Sequence, residues 1–307
     1  MRVLIRTTIV ALAVALIAPA AAAAAVTLGQ SPPTAGTPAT TECKLPPPQP
    51  RADLVQITNT TGNPYAVPAG GGVITSWRTS TSTGSAQMRL RLFTQAGSTV
   101  TPQAESDLES LTPTSTSFAT RIPVTGGELL GLSIMPGATG VDCYNYNTAP
   151  ADVVGVAYAG PIGSSETLLG SQAQLLANVS AQLEPDADGD GYGDETQDAC
   201  PTEATNQGPC NAFTIGKKKA NKKNGTAKVT VTVPGAGVVA LSGKGIATKR
   251  VEKSEAGDAK LTVKPKDKTK KKLKSKGKAK LTATITFTPT GGEAAVQTTK
   301  VKLKLAG

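Results

Sequence analysis

One acidic run has the residue types and the spacing of a cation-binding loop. Residues 186–201 read DADGDGYGDETQDACP. Aspartates occupy positions 1, 3 and 5 of the run and glycine occupies position 6, as at the start of an EF-hand-type loop (Asp186, Asp188, Asp190, Gly191). Alternate oxygens can face one point there, and glycine permits the sharp turn around it. The run therefore predicts a calcium site, with the Tyr192 carbonyl at position 7 and Asp194 at position 9.

The end of the run departs from an EF-hand. Position 12, where that loop has a bidentate glutamate, is Gln197, and Asp198 follows one residue later. No amphipathic helix follows, because Cys200 and Pro201 end the segment. Magnesium is disfavoured because it keeps several waters and uses few protein ligands. We expect a calcium loop that is not an EF-hand; the alternative is a solvated acidic linker that binds no metal.

The run resembles a thrombospondin type 3 repeat, whose pattern is Asp-x-Asp-x-Asp-Gly-x-x-Asp, another Asp, and then Cys-Pro. In that family the acids wrap calcium with little regular structure, and cysteine bridges hold the loops. The resemblance implies six ligands, of which the last falls one residue later than the commonest spacing: Asp186, Asp188, Asp190, Tyr192 through its carbonyl, Asp194 and Asp198. Glu195 either faces solvent or completes the shell.

Charge separates this run from the rest of the chain. Residues 184–203 carry eight acids and no base, whereas residues 211–307 carry 24 basic and five acidic side chains, a net charge of +19. We interpret the lysines as a solubilising face on alternating strands, with an anionic polymer or a cell-surface glycan as the alternative partner. Only Phe213 and Phe287 lie in that region, so nucleic acid is disfavoured for want of aromatic stacking.

The chain contains no histidine. Ser-His-Asp and Cys-His nucleophile pairs and histidine-ligated zinc are therefore excluded, whereas paired-carboxylate hydrolysis and Ser-Lys chemistry are not. We expect a protein that is not an enzyme. The alternative is a carbohydrate-binding or glycan-acting protein that uses its first domain, with four aromatic candidates for sugar stacking: Trp77, Tyr144, Tyr146 and Tyr158.

Residues 1–25 have the features of a secretory signal peptide. Arg2 and Arg6 form a basic start, an apolar stretch follows, and an alanine run ends at Ala25. The apolar stretch is shorter than the ~20 residues of a membrane span, so we expect a secreted protein without a membrane span in its mature form, free or bound to the cell surface. The alternative is a retained N-terminal anchor.

Export permits disulfides, and the four cysteines allow three pairings. Cys200 and Cys210 enclose nine residues that include two prolines and a glycine, which favours a local bridge. Cys43 and Cys143 would then connect the start of the first domain to a later strand. Zinc is a poor alternative because no CxxC spacing is present.

Short alternating runs predict a mainly β protein with two antiparallel β-sandwiches joined by the calcium-binding segment. We expect seven to nine strands in residues 51–183, where IPVTGGELLGL (residues 122–132) resembles a stretch of jelly-roll and carbohydrate-binding sandwich domains. Residues 26–50 are predicted as a flexible leader rich in Pro, Thr and Ala, and residues 184–210 as a disulfide-bridged linker.

The basic region, residues 211–307, is predicted as an Ig-like sandwich of five to seven strands. Its composition resembles the lysine-rich Ig-like modules that often end exported bacterial surface proteins. Residues 264–280 are expected to form a strand, a loop and a strand. The whole chain is thus expected to be a calcium-binding structural or adhesive surface protein, in which calcium rigidifies the joint between two sandwiches.

Overall fold

The computed structural model describes residues 24–31, 41–42, 52–81, 84–113, 116–138 and 141–306. Within these ranges the chain is mainly β, with 21 strands and one helix, and all paired strands run antiparallel. Most of the predicted signal peptide and leader lies outside the described residues. So does Cys43, and with it the predicted Cys43–Cys143 bridge.

Fourteen strands precede the acidic run. They are β1 (Val26–Gln30), β2 (Thr41–Glu42), β3 (Ala52–Thr58), β4 (Gly72–Arg78), β5 (Ala86–Ala96), β6 (Thr99–Glu105), β7 (Glu109–Leu111), β8 (Ser117–Val124), β9 (Leu129–Ile134), β10 (Asp142–Tyr146), β11 (Val153–Tyr158), β12 (Glu166–Ala173), β13 (Leu175–Ala177) and β14 (Val179–Glu184). Their sheet orders are β1-β14-β4-β8, β13-β10-β2 and β6-β12-β11-β3-β9-β5-β7. Because β5 also pairs with β6, six strands of the third sheet close into a ring.

Closure of this ring buries both faces of β5. Met88, Leu90 and Leu92 point into the main core between the sheets. Phe93 points the other way and packs inside the ring against side chains of β3, β6 and β11. The period-two pattern thus correctly predicts that β5 is a strand. The face of β5 opposite the main core is also buried, by the other strands of the ring.

Residues 26–30 are not part of a flexible leader, as we had predicted for the range 26–50. They form β1, which pairs with β14 along its whole length, from Val26 opposite Leu183 to Gln30 opposite Val179. Leu28 is fully buried in the core. Burial of this side chain and a complete hydrogen-bond ladder stabilise a segment whose composition carries few strand signals.

Seven strands and the helix follow the acidic run. They are β15 (Thr214–Asn221), β16 (Thr226–Val233), β17 (Gly237–Ser242), β18 (Lys249–Lys253), β19 (Gly257–Val263), α1 (Asp267–Lys276), β20 (Lys278–Pro289) and β21 (Ala295–Lys304). Two sheets, β15-β16-β19 and β18-β17-β20-β21, enclose a second core. Phe213 and Phe287 lie edge to face in this core, with ring centroids 6.4 Å apart.

The helix α1 corrects our expectation of a loop between strands in residues 264–280. Lysine is a good helix former, and Asp267 lies in the first turn, where an acidic side chain is favourable. Leu273 is the helix residue buried against the core, and Gly277 ends the helix in the left-handed conformation with φ of 61°. In the part of the chain described above, no helix has the length and apolar character needed to cross a membrane.

Candidate metal centre

The acidic run lies in an irregular connection between β14 and β15. Residues 185–213 contain turns and bends without a helix or strand. Gly189 and Gly191 have φ angles of 75° and 83°, which L side chains rarely adopt, so glycine is required for this path of the backbone. The chain therefore reverses tightly around the aspartates, as the spacing had predicted.

Three of the predicted ligands come together. One carboxylate oxygen from each of Asp186, Asp188 and Asp190 lies within 4.8 Å of the other two. Asp186 is oriented by the loop itself, since its Oδ1 accepts hydrogen bonds from the N–H groups of Gly189 and Asp190 (2.9 and 3.0 Å). Its Oδ2 accepts a third from the Gly191 N–H (3.0 Å). The position of the Asp186 carboxylate is thus held by local backbone donors.

Asp188, which belongs to this group, and Asp198, which does not, have buried oxygens without a hydrogen-bond donor. Neither oxygen of Asp188 has one, and Oδ2 of Asp198 has none either. Asp198 as a whole is 4% exposed, and its Oδ1 accepts from the Cys200 N–H at 2.7 Å. A buried anionic oxygen without a donor or a cation is costly, so these oxygens are available to a bound cation.

The electrostatics of the run reflect this crowding. Burial, together with the charges of Asp190 and Asp198, raises the pKa of Asp188, and the backbone groups of Asp190 and Glu203 only partly oppose this rise. Burial and neighbouring carboxylates also raise the pKa of Asp194, against a hydrogen bond from the Ala187 N–H. None of the ion pairs among the described residues involves a carboxylate of this run. Among the described residues, the negative charge of the run is therefore not neutralised by an ion pair with a basic side chain.

The remaining predicted ligands lie around the triad but not in it. Asp194 and Asp198 are outside the group of oxygens within 4.8 Å. Tyr192 donates its N–H to Asp190 Oδ1 at 2.9 Å, and its ring lies under the Arg121 guanidinium, 4.0 Å from the carbon to the ring centroid. This cation–π contact ties the loop to β8.

Glu195 does not complete the shell in this structure. Its carboxylate Oε1 accepts a hydrogen bond from the Ala25 N–H at 2.6 Å, beside the start of β1. The side chain is exposed. Of the two roles left open for Glu195 from the sequence, the structure thus shows a position outside the aspartate cluster.

Glu184, the last residue of β14, anchors the loop, a role that sequence reasoning did not identify. It is 3% exposed and accepts hydrogen bonds from the Thr75 and Thr196 hydroxyls (2.8 and 2.7 Å) and from two backbone N–H groups of the loop. Although burial opposes ionisation, these donors hold the pKa of Glu184 below its usual value. Gly193 is also required here, because a Cβ would lie 2.5 Å from Glu184 Oε2.

The far side of the loop is closed by a disulfide. Cys200 and Cys210 are bonded, with Cα atoms 4.7 Å apart, as the spacing had favoured. Within the bridged loop, Gln207 donates from Nε2 to Asp190 Oδ2 at 2.6 Å. Gln197, the residue at position 12, donates to the Thr120 carbonyl instead of facing the cluster (2.8 Å). No sequence signal marks either glutamine contact.

The three aspartates are close enough together for one cation to contact all of them. Two oxygens bound to one Ca²⁺ at about 2.4 Å cannot lie more than about 4.8 Å apart, and the three aspartate oxygens meet that limit. The group consists of hard, anionic oxygen donors without a histidine or cysteine ligand, and such donors suit this ion. The unpartnered oxygens of Asp188 and Asp198 supply further donors.

The aromatic candidates for sugar stacking are divided by burial. Trp77 is 1% exposed and packs on Phe118 with ring centroids 4.9 Å apart, so its face is not available to a sugar. Tyr144 is mostly buried, and this burial raises its pKa to about 12. Tyr146 and Tyr158 are exposed. The glycan alternative therefore stays a prediction, but Trp77 is no longer a candidate for stacking on a sugar.

Comparison with known proteins adds no family. No protein-family model matches the chain, and no curated protein matches it either. The functional argument therefore depends on the geometry of the site.

Proposed function

We propose that this chain is an exported calcium-binding structural protein of the cell surface, with calcium held by the acidic run of a thrombospondin type 3-like segment. The observation that carries the proposal is the group of buried, unpartnered oxygens on Asp188 and Asp198 beside the Asp186–Asp190 cluster. Calcium bound by Asp186, Asp188, Asp190, Asp194, Asp198 and the Tyr192 carbonyl would neutralise this charge.

The proposed role of calcium is to rigidify the joint between two β-sandwiches, the first jelly-roll-like and the second Ig-like. The loop contacts the first β-structure through Glu184, Gln197 and Tyr192. Toward the second, Glu203 approaches so closely that a Cβ on Gly235 would lie 2.8 Å from its Oε2. A cation that fixes a loop in contact with both sides also limits motion between them.

The engagement of carboxylates in the first β-structure supports a role that is not catalytic. Asp53 pairs with the buried Arg91 at 2.5 Å, and Glu105 pairs with the same guanidinium at 2.8 Å. Asp152 and Glu128 accept several hydrogen bonds each, which hold their pKa values low despite burial. Carboxylates in these settings act as structural acceptors, since a general acid needs a raised pKa near the working pH.

Calorimetric titration of the purified full chain with calcium tests the site. We expect binding with a dissociation constant of about 0.1–1 mM, as in other extracellular calcium sites. Asp188→Asn and Asp198→Asn should each weaken it. Glu195→Gln is the matched control, because it removes one charge from the same run without touching the aspartate cluster. Equal losses in all three variants, or no binding by the parent chain, would overturn the proposal.

Hydrogen exchange tests the joint. Calcium should slow amide exchange in residues 185–213, with smaller changes inside the two cores. The Asp188→Asn variant should show no such slowing at the same calcium concentration. Exchange that is unchanged by calcium in the parent chain, despite binding, would contradict a mechanical role for the ion.

A further inference from the structure

Lysines converge on one connected groove of the carboxy-terminal β-structure. A cavity of about 300 Å³ lies between α1 and the β20–β21 hairpin. Six exposed lysines line it: Lys272, Lys276, Lys278, Lys280, Lys302 and Lys304. No acidic side chain lines this cavity.

The strand register places these lysines on the same face. Lys278 lies opposite Lys304, and Lys280 lies opposite Lys302. Their neighbours, such as Ala279, are buried, so both lysine pairs point outward. Like charges directly across a ladder destabilise it, and none of these lysines forms an ion pair with a described carboxylate. An anion in the groove would remove this repulsion.

The groove continues beyond the hairpin. Lys276, Lys278 and Lys304 also line an adjoining depression, which they share with Lys222. Lys222 in turn lines a third depression with Lys219, Lys228 and Lys264, again without an acidic residue. We call these three connected depressions the basic groove. The ten lysines that line it are too many for one small anion and suit an extended polyanion better.

We propose that the basic groove binds a linear phosphate polymer without bases, such as inorganic polyphosphate or a poly(glycerol phosphate). Its cations are all lysines, which bind phosphate as point charges without the planar register of arginine. Phe213 and Phe287 are buried in the core, so no described aromatic ring of this region offers a stacking surface for bases.

A protein partner fits the groove less well. Val296 is the exposed large hydrophobic residue within residues 214–306, and it does not line the groove. Protein interfaces depend on buried apolar or aromatic anchors, which the groove does not offer. Dense cationic charge along a furrow instead gives affinity through counterion release from a polyanion.

Fluorescence anisotropy of the full chain with labelled long-chain polyphosphate tests this proposal in calcium-free buffer, so that its outcome is independent of the calcium site. The groove variant replaces Lys278, Lys280, Lys302 and Lys304 by Gln. The control variant removes four charges elsewhere by Lys244→Gln, Lys249→Gln, Arg250→Gln and Lys253→Gln. All four substituted groove lysines are exposed, so melting curves should show that the groove variant remains folded.

We expect the groove variant to bind polyphosphate at least about tenfold more weakly at low salt. The slope of log K against log salt concentration should become less negative by about 3, because four lysines no longer contact phosphates. The control variant should lose much less. Poly(glycerol phosphate) is a second probe, and the tighter of the two polymers identifies the preferred spacing of charges. Equal losses in the two variants would overturn the proposal.

Two competitor probes can also overturn it. Tighter binding of single-stranded DNA at equal phosphate concentration would assign the groove to nucleic acid. Tighter binding of phosphatidylglycerol vesicles would assign it to a lipid surface.

Discussion

The acidic run and the basic groove both concentrate charge of one sign, but they do so in opposite ways. The aspartate oxygens converge within 4.8 Å, and several are buried without donors. The groove lysines are instead spread over α1, the β20–β21 hairpin and the neighbouring β15–β16 region, where water reaches each of them. Like charge that is concentrated and partly buried favours a compact counter-ion, whereas like charge that is spread over an exposed surface tolerates solvent and suits an extended counter-charge.

The first β-structure shows a third arrangement, in which protein groups already neutralise buried charge. Arg91 and Asp53 are each 1% exposed and form an ion pair. Comparing the acidic run, the basic groove and this ion pair separates two effects on stability: the burial of a charge and its neutralisation by an opposite charge. The following predictions vary one of these factors at a time.

Removing the partner of a compensated buried charge should have the largest effect. We expect Asp53→Ala to lower the free energy of unfolding by about 3–5 kcal/mol, because Arg91 then remains buried without its closest carboxylate. Urea unfolding measures this, with Asp107→Ala at an exposed aspartate as the control. A similar small loss in both variants would show that the pair is not the source of stability.

Calcium should replace the missing compensation in the acidic run. With calcium at about 2 mM and a dissociation constant near 0.1 mM, the gain in unfolding free energy is about 1.8 kcal/mol. Asp188→Asn should abolish this gain and raise the stability of the calcium-free chain, because it removes a carboxylate repelled by Asp190 and Asp198. Thermal unfolding with calcium or a chelator measures both effects; a gain that survives in Asp188→Asn would contradict the site.

Asp152 tests a buried carboxylate that hydrogen-bond donors stabilise. It accepts from the Thr60 N–H and hydroxyl at 2.5 and 2.9 Å, from the Thr61 hydroxyl, and from Asn147 Nδ2 at 2.5 Å. Burial raises the pKa of Asp152, but these donors outweigh burial and hold the pKa below its usual value. Its stabilisation is therefore present above the unfolded pKa of about 3.9 and is lost as the pH falls through the lower folded pKa.

The variant Asp152→Asn should accordingly cost about 1.5 kcal/mol at neutral pH and progressively less in acid. Urea unfolding across the acid range measures the difference from the parent chain. A cost that is the same at every pH would show that shape, and not ionisation, accounts for the contribution of Asp152.

Exposed like charge should give the smallest effect. Lys304→Glu places a carboxylate opposite Lys278 and should stabilise the chain by about 0.5 kcal/mol at low salt. Lys304→Gln removes the repulsion between Lys304 and Lys278 without adding an attraction. Comparing it with Lys304→Glu therefore separates the two effects. Because both residues are exposed, salt should screen the gain, and a gain independent of salt would contradict an electrostatic origin.

Local spacing explains what the sequence predicted correctly. Asp186, Asp188, Asp190 and the local bridge between Cys200 and Cys210 lie within 25 residues, so turn geometry alone brings each set together. The mainly β character was likewise predicted, because period-two alternation is a local property, but residues 52–184 form twelve strands (β3–β14) where seven to nine had been expected.

Tertiary contacts explain what the sequence did not predict. Glu184 is an anchor because it joins Thr75 of β4 to Thr196 of the loop, and Gln207 reaches Asp190 from 17 residues further along the chain, inside the disulfide-bridged loop. Likewise, β1 is a strand because β14 offers it an edge. The helix α1 was missed because Leu273 alone carries its apolar face, too little for a periodic signal.

The Cys200–Cys210 bridge has a consequence for the durability of the chain outside a cell. Its loop, residues 201–209, includes exposed positions such as Thr202 and Ala204, which are accessible to proteases. A single cut there would leave the amino-terminal and carboxy-terminal fragments covalently joined through sulfur. A nicked molecule would therefore keep both β-structures together until a reductant separated them.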